Sequence, residues 1–233
     1  QDNPRTGMMR GGFGPVGDGV NLPEGQFFAD PEGLSSDVPM IISSTFHEWS
    51  MSRTNPALEE ITADSAKAML AVRAGFSGGF GDRAGEIYDA YAEAFPEAKP
   101  IEIVTLIGSN RKNVINTANA KAAQAAPVYV DWFGWQPPMF NGRMRAFHCL
   151  DICFWFCNTD LMLTHTGGGA RPGALSDKMS GALLQFMRTG DPNGGGLPQW
   201  PPYTVENGET MILDDVCVVK NDPDREARSH IPD

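Results

Sequence analysis

Hydrophobic positions along the chain fall into two patterns. From Val38 to Ile42 they form a short apolar run that fades into small hydroxyl residues, SST. A run without polar alternation suits a parallel strand buried on both faces. PVYVDWFGW, from Pro127 to Trp135, is a second such run, rich in β-branched and aromatic residues. ETMILDD, near the end, reads as a short late strand. The remaining apolar residues are spread among helix formers. PALEEITADSAKAMLAVR, residues 56–73, has no interior glycine and predicts a helix. Asp82 is placed as the N-cap of a helix over GEIYDAYAEAF, which stops before Pro96. Residues 110–124 predict another helix, and residues 175–190 predict one closed by a C-terminal glycine.

Strands alternating with helices predict an α/β architecture. Only two runs read as central parallel strands, too few for a sheet covered by helices on both faces. Residues 1–233 are therefore expected to be the trailing part of a doubly wound domain whose first strands lie elsewhere. The start, QDNPRTGMMRGGFGP, has neither an initiating Met nor a signal-peptide pattern, and it reads as the middle of a longer polypeptide. The compartment is not readable from it.

Composition narrows the partners. The chain is 41% hydrophobic and 20% charged, ordinary for a globular protein. Its net charge of −11 repels phosphate backbones, so no nucleic-acid partner is expected. No stretch approaches the ~20 apolar residues of a membrane span. Cys149, Cys153 and Cys157 recur every fourth residue beside His148, along one helical face if that stretch is helical. A metal module is conceivable. The spacing is not a usual zinc pattern, however, and the apolar neighbours favour buried thiols, with Cys217 the fourth. No metal or cofactor is expected.

Two ionisable residues lie where open α/β sheets place function, beyond the carboxyl ends of strands. Glu48 follows the first strand and His148 follows the second. Acid and then histidine is the tail of the order Ser…Asp/Glu…His. His148 would relay the proton of a serine hydroxyl while Glu48 holds the imidazole tautomer and steadies the imidazolium. A solvated glutamate and a structural histidine are the plain alternatives. GFSGG, residues 75–79, matches G-x-S-x-G and nominates Ser77 as the nucleophile. A nucleophile elbow turns from a buried strand into a helix. Here AKAMLAVRA precedes it and more glycines follow, so a helix-to-helix connection is the better reading.

Several segments together resemble the type-B carboxylesterases, the cholinesterase-like branch of the α/β-hydrolases. FGPVGDGVNLP is similar to that family's P-x-x-DG-x-x-LP segment, and DVPMIISSTFHEW to the strand and turn carrying its acid. AFHCLDICFWFCN resembles its histidine segment, with the acidic Asp151 three places on. FMRTGDPNGGGLPQWPPY resembles its F-x-x-x-G-x-P stretch with the following W-P. The resemblance spans nearly the whole chain as the C-terminal part of a single catalytic domain. It implies an α/β-hydrolase fold and a Ser-His-Glu esterase in which Glu48 and His148 are two of the three triad members. The serine elbow and oxyanion-hole loop lie ahead of the acid in that family, and neither stands ahead of Glu48 here. The expected partners are thus an N-terminal segment of the same esterase and a small-molecule ester. The chain alone is expected to be inactive.

The chain departs from the family pattern at His47 (often Asp), at Ser43 (often Gly) and at Trp155, which adds bulk in FWF. Phe46, Trp49, Phe133, Trp135 and Trp155 are either lining for an apolar substrate pocket or core. The family also includes non-catalytic binding relatives, and a binding protein is the alternative function.

Overall fold

The computed structural model describes residues 18–21, 30, 33–73 and 79–232. Four strands, β1 (Met40–Ile42), β2 (Val128–Phe133), β3 (Glu209–Leu213) and β4 (Val218–Asn221), form one sheet in that order. β1, β2 and β3 are parallel, with Met40 opposite Val128 and Val130 opposite Thr210. β4 closes the far side as an antiparallel strand on β3. The late strand ETMILDD is thus a third parallel strand and not a peripheral one. Every residue of β2 and of β3 is buried, as expected for strands covered on both faces. The result is a mostly parallel, helix-flanked sheet, as the α/β reading predicts.

The helices α1 (Ala63–Val72), α2 (Ala84–Ala94), α3 (Pro100–Ile107) and α4 (Arg111–Ala122) cover one face. There Trp132 and Ile212 pack with Leu70, Ile87, Tyr91 and Ile103. Val128 and Val130 pack with Val114 and Ala118 of α4. On the other face lie the short helices α5 (Ile152–Trp155) and α6 (Leu163–Thr166) and the long α7 (Ala170–Thr189). Tyr129, Phe133, Met211 and Leu213 pack there with Phe154, Met179 and Trp200. The split follows from the two-residue period of strand side chains.

Local differences from the sequence reading have local causes. The helix expected over 56–73 is a 3₁₀ turn, Pro56–Glu60, followed by α1. Thr62 separates them, its Oγ1 accepting the Ser65 N–H at 3.2 Å as an N-cap. Asp82 is not the N-cap of α2; it sits in a 3₁₀ turn, Gly81–Arg83, and Arg83 takes the cap position. The long helix begins at Ala170, before residue 175, because Pro172 is tolerated in a first turn. Gly190 ends it at φ +78°, where a Cβ would meet the Pro39 ring at 2.9 Å.

The C-terminal tail docks firmly. In α8 (Arg225–Ser229), Arg228 donates to Asp222 at 2.7 and 2.8 Å and to Asp224 at 2.7 Å. Arg111 joins the same buried cluster through Asp224 at 3.2 Å and covers the Trp132 ring at 4.5 Å. Among the described residues no helix is long and apolar enough to cross a membrane.

Candidate active site

The parallel sheet sends two loops out from its carboxyl edge. β1 is prolonged by a single bridge between Thr45 and Phe133, after which the chain turns through Phe46 and His47 to Glu48. β2 is followed by a longer loop that reaches His148 just before α5. The two loops are laced together by their backbones. The His47 N–H donates to the Ala146 carbonyl at 3.1 Å, and the His148 N–H donates to the Glu48 carbonyl at 2.7 Å. Ser50 Oγ donates to the Arg143 carbonyl, and Arg143 Nη1 donates to the Ser52 carbonyl at 3.2 Å.

This lacing brings the two candidate residues together. His148 Nδ1 lies 2.6 Å from Glu48 Oε2. The carboxylate side chain is only 13% exposed while the imidazole is 54% exposed. The acid is thus shielded, and the ring presents its Nε2 edge away from it. Trp49 stacks on the imidazole, with ring centroids 5.3 Å apart and planes 19° from parallel. A neutral histidine with Nδ1–H turned to a carboxylate has Nε2 free as a proton acceptor, the arrangement of a general base.

The His148 segment is held in costly backbone geometry. Phe140, Asn141, Arg145 and Cys149 all have positive φ, from 52° to 64°. A left-handed non-glycine residue costs roughly 1–2 kcal/mol, so surrounding contacts must hold these turns. Chief among them is a buried ion network. Arg145 Nη1 donates to Glu102 Oε1 at 2.9 Å, and Nη2 donates to Glu59 Oε1 at 2.8 Å and Oε2 at 2.9 Å. Lys99 adds a bond from Nζ to Glu59 at 3.0 Å. Burial pushes the Glu59 carboxyl up, but hydrogen bonds and the cations Lys99 and Arg145 outweigh it and hold it below its ordinary range.

Near the pair lie groups whose charged forms burial disfavours. His47 is pushed down to about 3, first by burial and then by the charge of Arg145, so its 4.0 Å approach to Glu102 is not an ion pair. On β2, Asp131 is wholly buried, and burial drives its carboxyl far up. Its Oδ1 accepts from Ser43 Oγ at 2.7 Å, and Asp151 Oδ2 lies 3.4 Å from the same hydroxyl. Burial raises Asp151 as well. None of Arg145, Glu59, Glu102 and Asp131 had been singled out from sequence, since each acquires its setting only through tertiary contacts.

The five nominated aromatics separate. Phe133, Trp135 and Trp155 are core residues, and Phe46 packs on Trp132 at 4.0 Å. Trp49 alone borders a cavity of about 870 Å³, walled also by Met51, Met69, Val72, Val104 and Thr105. The cysteines do not line a helix face. α5 spans only Ile152–Trp155, and the positive φ of Cys149 and Cys157 takes both out of helical geometry. All four thiols are free; Cys153 and Cys217 are buried as expected, whereas Cys149 and Cys157 are exposed. Among the described residues no group of three or more metal-ligating side chains comes together. Ser77 lies outside the described residues. The described chain on its N-terminal side is helix α1, and not a strand.

Three comparisons bear on this geometry. A family-wide sequence profile, described as the Carboxylesterase family, matches residues 5–229. The chain is 29% identical over 224 residues to the para-nitrobenzyl esterase of Bacillus subtilis (strain 168), covering 94% of this chain and 43% of that protein. It is 25% identical to the phenmedipham hydrolase of Pseudarthrobacter oxydans, covering 78% of this chain and 37% of that protein. Among solved structures, an esterase from Clostridium hathewayi that can hydrolyze aliphatic aromatic polyesters superposes with a TM-score of 0.63 at 31% identity, covering 82% and 37% of the two chains. The Geobacillus stearothermophilus carboxylesterase does so with a TM-score of 0.57 at 26% identity, covering 82% and 40%. The chain thus spans about two fifths of the length of the curated relatives it matches.

Proposed function

Because the chain belongs to the carboxylesterase family, we propose that it supplies the acid and the histidine of a Ser-His-Glu triad that hydrolyses carboxylic esters through an acyl-enzyme. Residues 1–233 form the C-terminal part of a single catalytic domain in this reading. The serine and the oxyanion donors come from the N-terminal part of the same esterase. His148 Nε2 takes the serine proton as Oγ attacks the ester carbonyl and hands it to the departing alcohol. A water molecule then repeats the cycle on the acyl-enzyme. Glu48 holds Nδ1–H and offsets the imidazolium charge as it forms.

The observation that carries this reading is the 2.6 Å contact between His148 Nδ1 and Glu48 Oε2, with the opposite ring edge facing outward. The apolar cavity bordered by Trp49 supports esters with a bulky apolar group. In the complete esterase, Glu48→Gln and His148→Ala should each lower kcat by about 10³-fold or more without unfolding the protein. Near-normal turnover by either variant would refute the assignment. Residues 1–233 alone should not turn over a nitrophenyl ester. A fluorophosphonate probe on the complete enzyme should label a serine N-terminal to Gln1; labelling of Ser77, or of no serine, would overturn the proposal.

A further inference from the structure

We propose that Arg145 is a positioning residue for the Glu48–His148 pair, its guanidinium clamping the histidine segment across Glu59 and Glu102. The inference rests on the catalytic reading of that pair. Arg145 stands just ahead of His148, in a left-handed conformation (φ 54°) that an arginine does not adopt unaided. Its own backbone forms the turn that feeds the histidine. The Arg145 N–H donates to the Gly142 carbonyl at 3.1 Å, the Phe147 N–H donates to the Arg145 carbonyl at 3.0 Å, and the His148 N–H donates to Glu48 at 2.7 Å. Any swing of Arg145 therefore moves the imidazole against its carboxylate.

The anchors lie on two elements outside the histidine segment. Glu59 belongs to the 3₁₀ turn Pro56–Glu60, in the segment that continues from Glu48 itself. Glu102 is fixed by a second duty, accepting the Lys99 N–H at 2.9 Å at the start of α3. One planar fork thus reaches two carboxylates on separate elements, with three bonds between 2.8 and 2.9 Å. Arginine is suited to such spanning and lysine is not. Stability is a poor explanation for it, because buried ion networks rarely outperform apolar packing of the same volume. What the network does supply is a fixed direction for a strained segment. A misplacement of about 1 Å at a reacting group can cost ~10²-fold in rate.

The test is made in the complete esterase with Arg145→Lys, which keeps the charge but cannot span both carboxylates, and with Glu102→Gln, which keeps the side-chain shape. Active sites are counted by fluorophosphonate titration, and kcat and KM for a nitrophenyl ester are expressed per titrated site. The expected result is a fall in kcat of about 10- to 100-fold in Arg145→Lys, with KM within about twofold. Glu102→Gln should fall in the same direction by less. A purely structural role would lower the melting temperature or the number of titrated sites and leave kcat per site alone. A kcat per site within twofold of wild type in both variants would overturn the proposal. If His148→Ala retained full activity, the catalytic reading itself would have failed, an outcome distinct from failure of the clamp.

Discussion

His47, next to Glu48, is a buried group that makes the fold sensitive to acid. It is 3% exposed, and its Nδ1 has no hydrogen-bond partner. Burial first, and the Arg145 charge second, lower its pKa from 6.5 to about 3. The unfolded imidazole takes up a proton below pH 6.5, whereas the folded one stays neutral until about pH 3. The unfolded state binds more protons across that window, so stability is lost as pH falls through it. At ~1.4 kcal/mol per pH unit, the roughly 1.5 units between 6.5 and pH 5 correspond to ~2 kcal/mol, and at pH 7 the loss is close to nil. His47→Gln removes the titration and keeps a polar side chain of similar size. Urea unfolding followed by tryptophan fluorescence at pH 7 and pH 5 gives the stability of both proteins. The carboxylates titrate alike in the two, so they cancel in the difference. The variant should gain on the wild type by about 2 kcal/mol between pH 7 and pH 5, whatever its baseline cost. A difference between the two proteins that is equal at both pH values, within ~0.5 kcal/mol, would refute the argument.

Two further substitutions test separate parts of the structure. Arg228→Ala removes a buried guanidinium from Asp222 and Asp224, which keep Arg225 and Arg111 respectively. It should cost about 2–3 kcal/mol in urea unfolding, since each buried carboxylate loses one charged donor and keeps another. Trp49→Ala removes the ring stacked on His148 at 5.3 Å, and should lower kcat/KM of the complete esterase about 2- to 5-fold. That factor corresponds to the ~0.5–1 kcal/mol of an exposed aromatic–cation contact, and Trp49→Phe should restore most of it.

The order of the chain made Glu48 and His148 legible. Each follows an apolar run that reads as a parallel strand, although β1 is only half-buried where β2 is fully buried, and parallel neighbours must send their following loops to the same edge. The residues that hold the pair were not legible. Arg145 finds Glu59 and Glu102 from distant parts of the chain, and no local spacing marks those partners. α3 escaped notice because PIEIVTLI is apolar on nearly every side, which erases the helical period. The turn at Pro100 and the Glu102 cap decide its conformation. β4 was missed for the opposite reason: VVKN is largely exposed, and its strand state comes from pairing with β3. The condition attached to the cysteine spacing, a continuous helix, is not met, because left-handed turns at Cys149 and Cys157 interrupt it. The docked tail was unreadable because its anchor, Arg228, depends on carboxylates that gain their setting only in the fold.

The charges around the pair explain why its geometry is informative. A carboxylate that is 13% exposed needs compensation, and besides His148 two nearby basic groups, His47 and Arg145, could compete for the role. Burial keeps His47 neutral, so it offers no cation to Glu48. Burial likewise disfavours the charged form of Asp131. Arg145 carries a permanent charge, but its fork is already engaged by Glu59 and Glu102. Among the described residues, His148 is the basic side chain with which Glu48 forms its close contact. An imidazolium formed during ester cleavage would meet a carboxylate not already committed to another cation. That matters because a carboxylate shared with a fixed guanidinium would stabilise the imidazolium less. In the proposed triad, the engagement of Arg145 by Glu59 and Glu102 leaves Glu48 to offset the imidazolium of His148 as it forms.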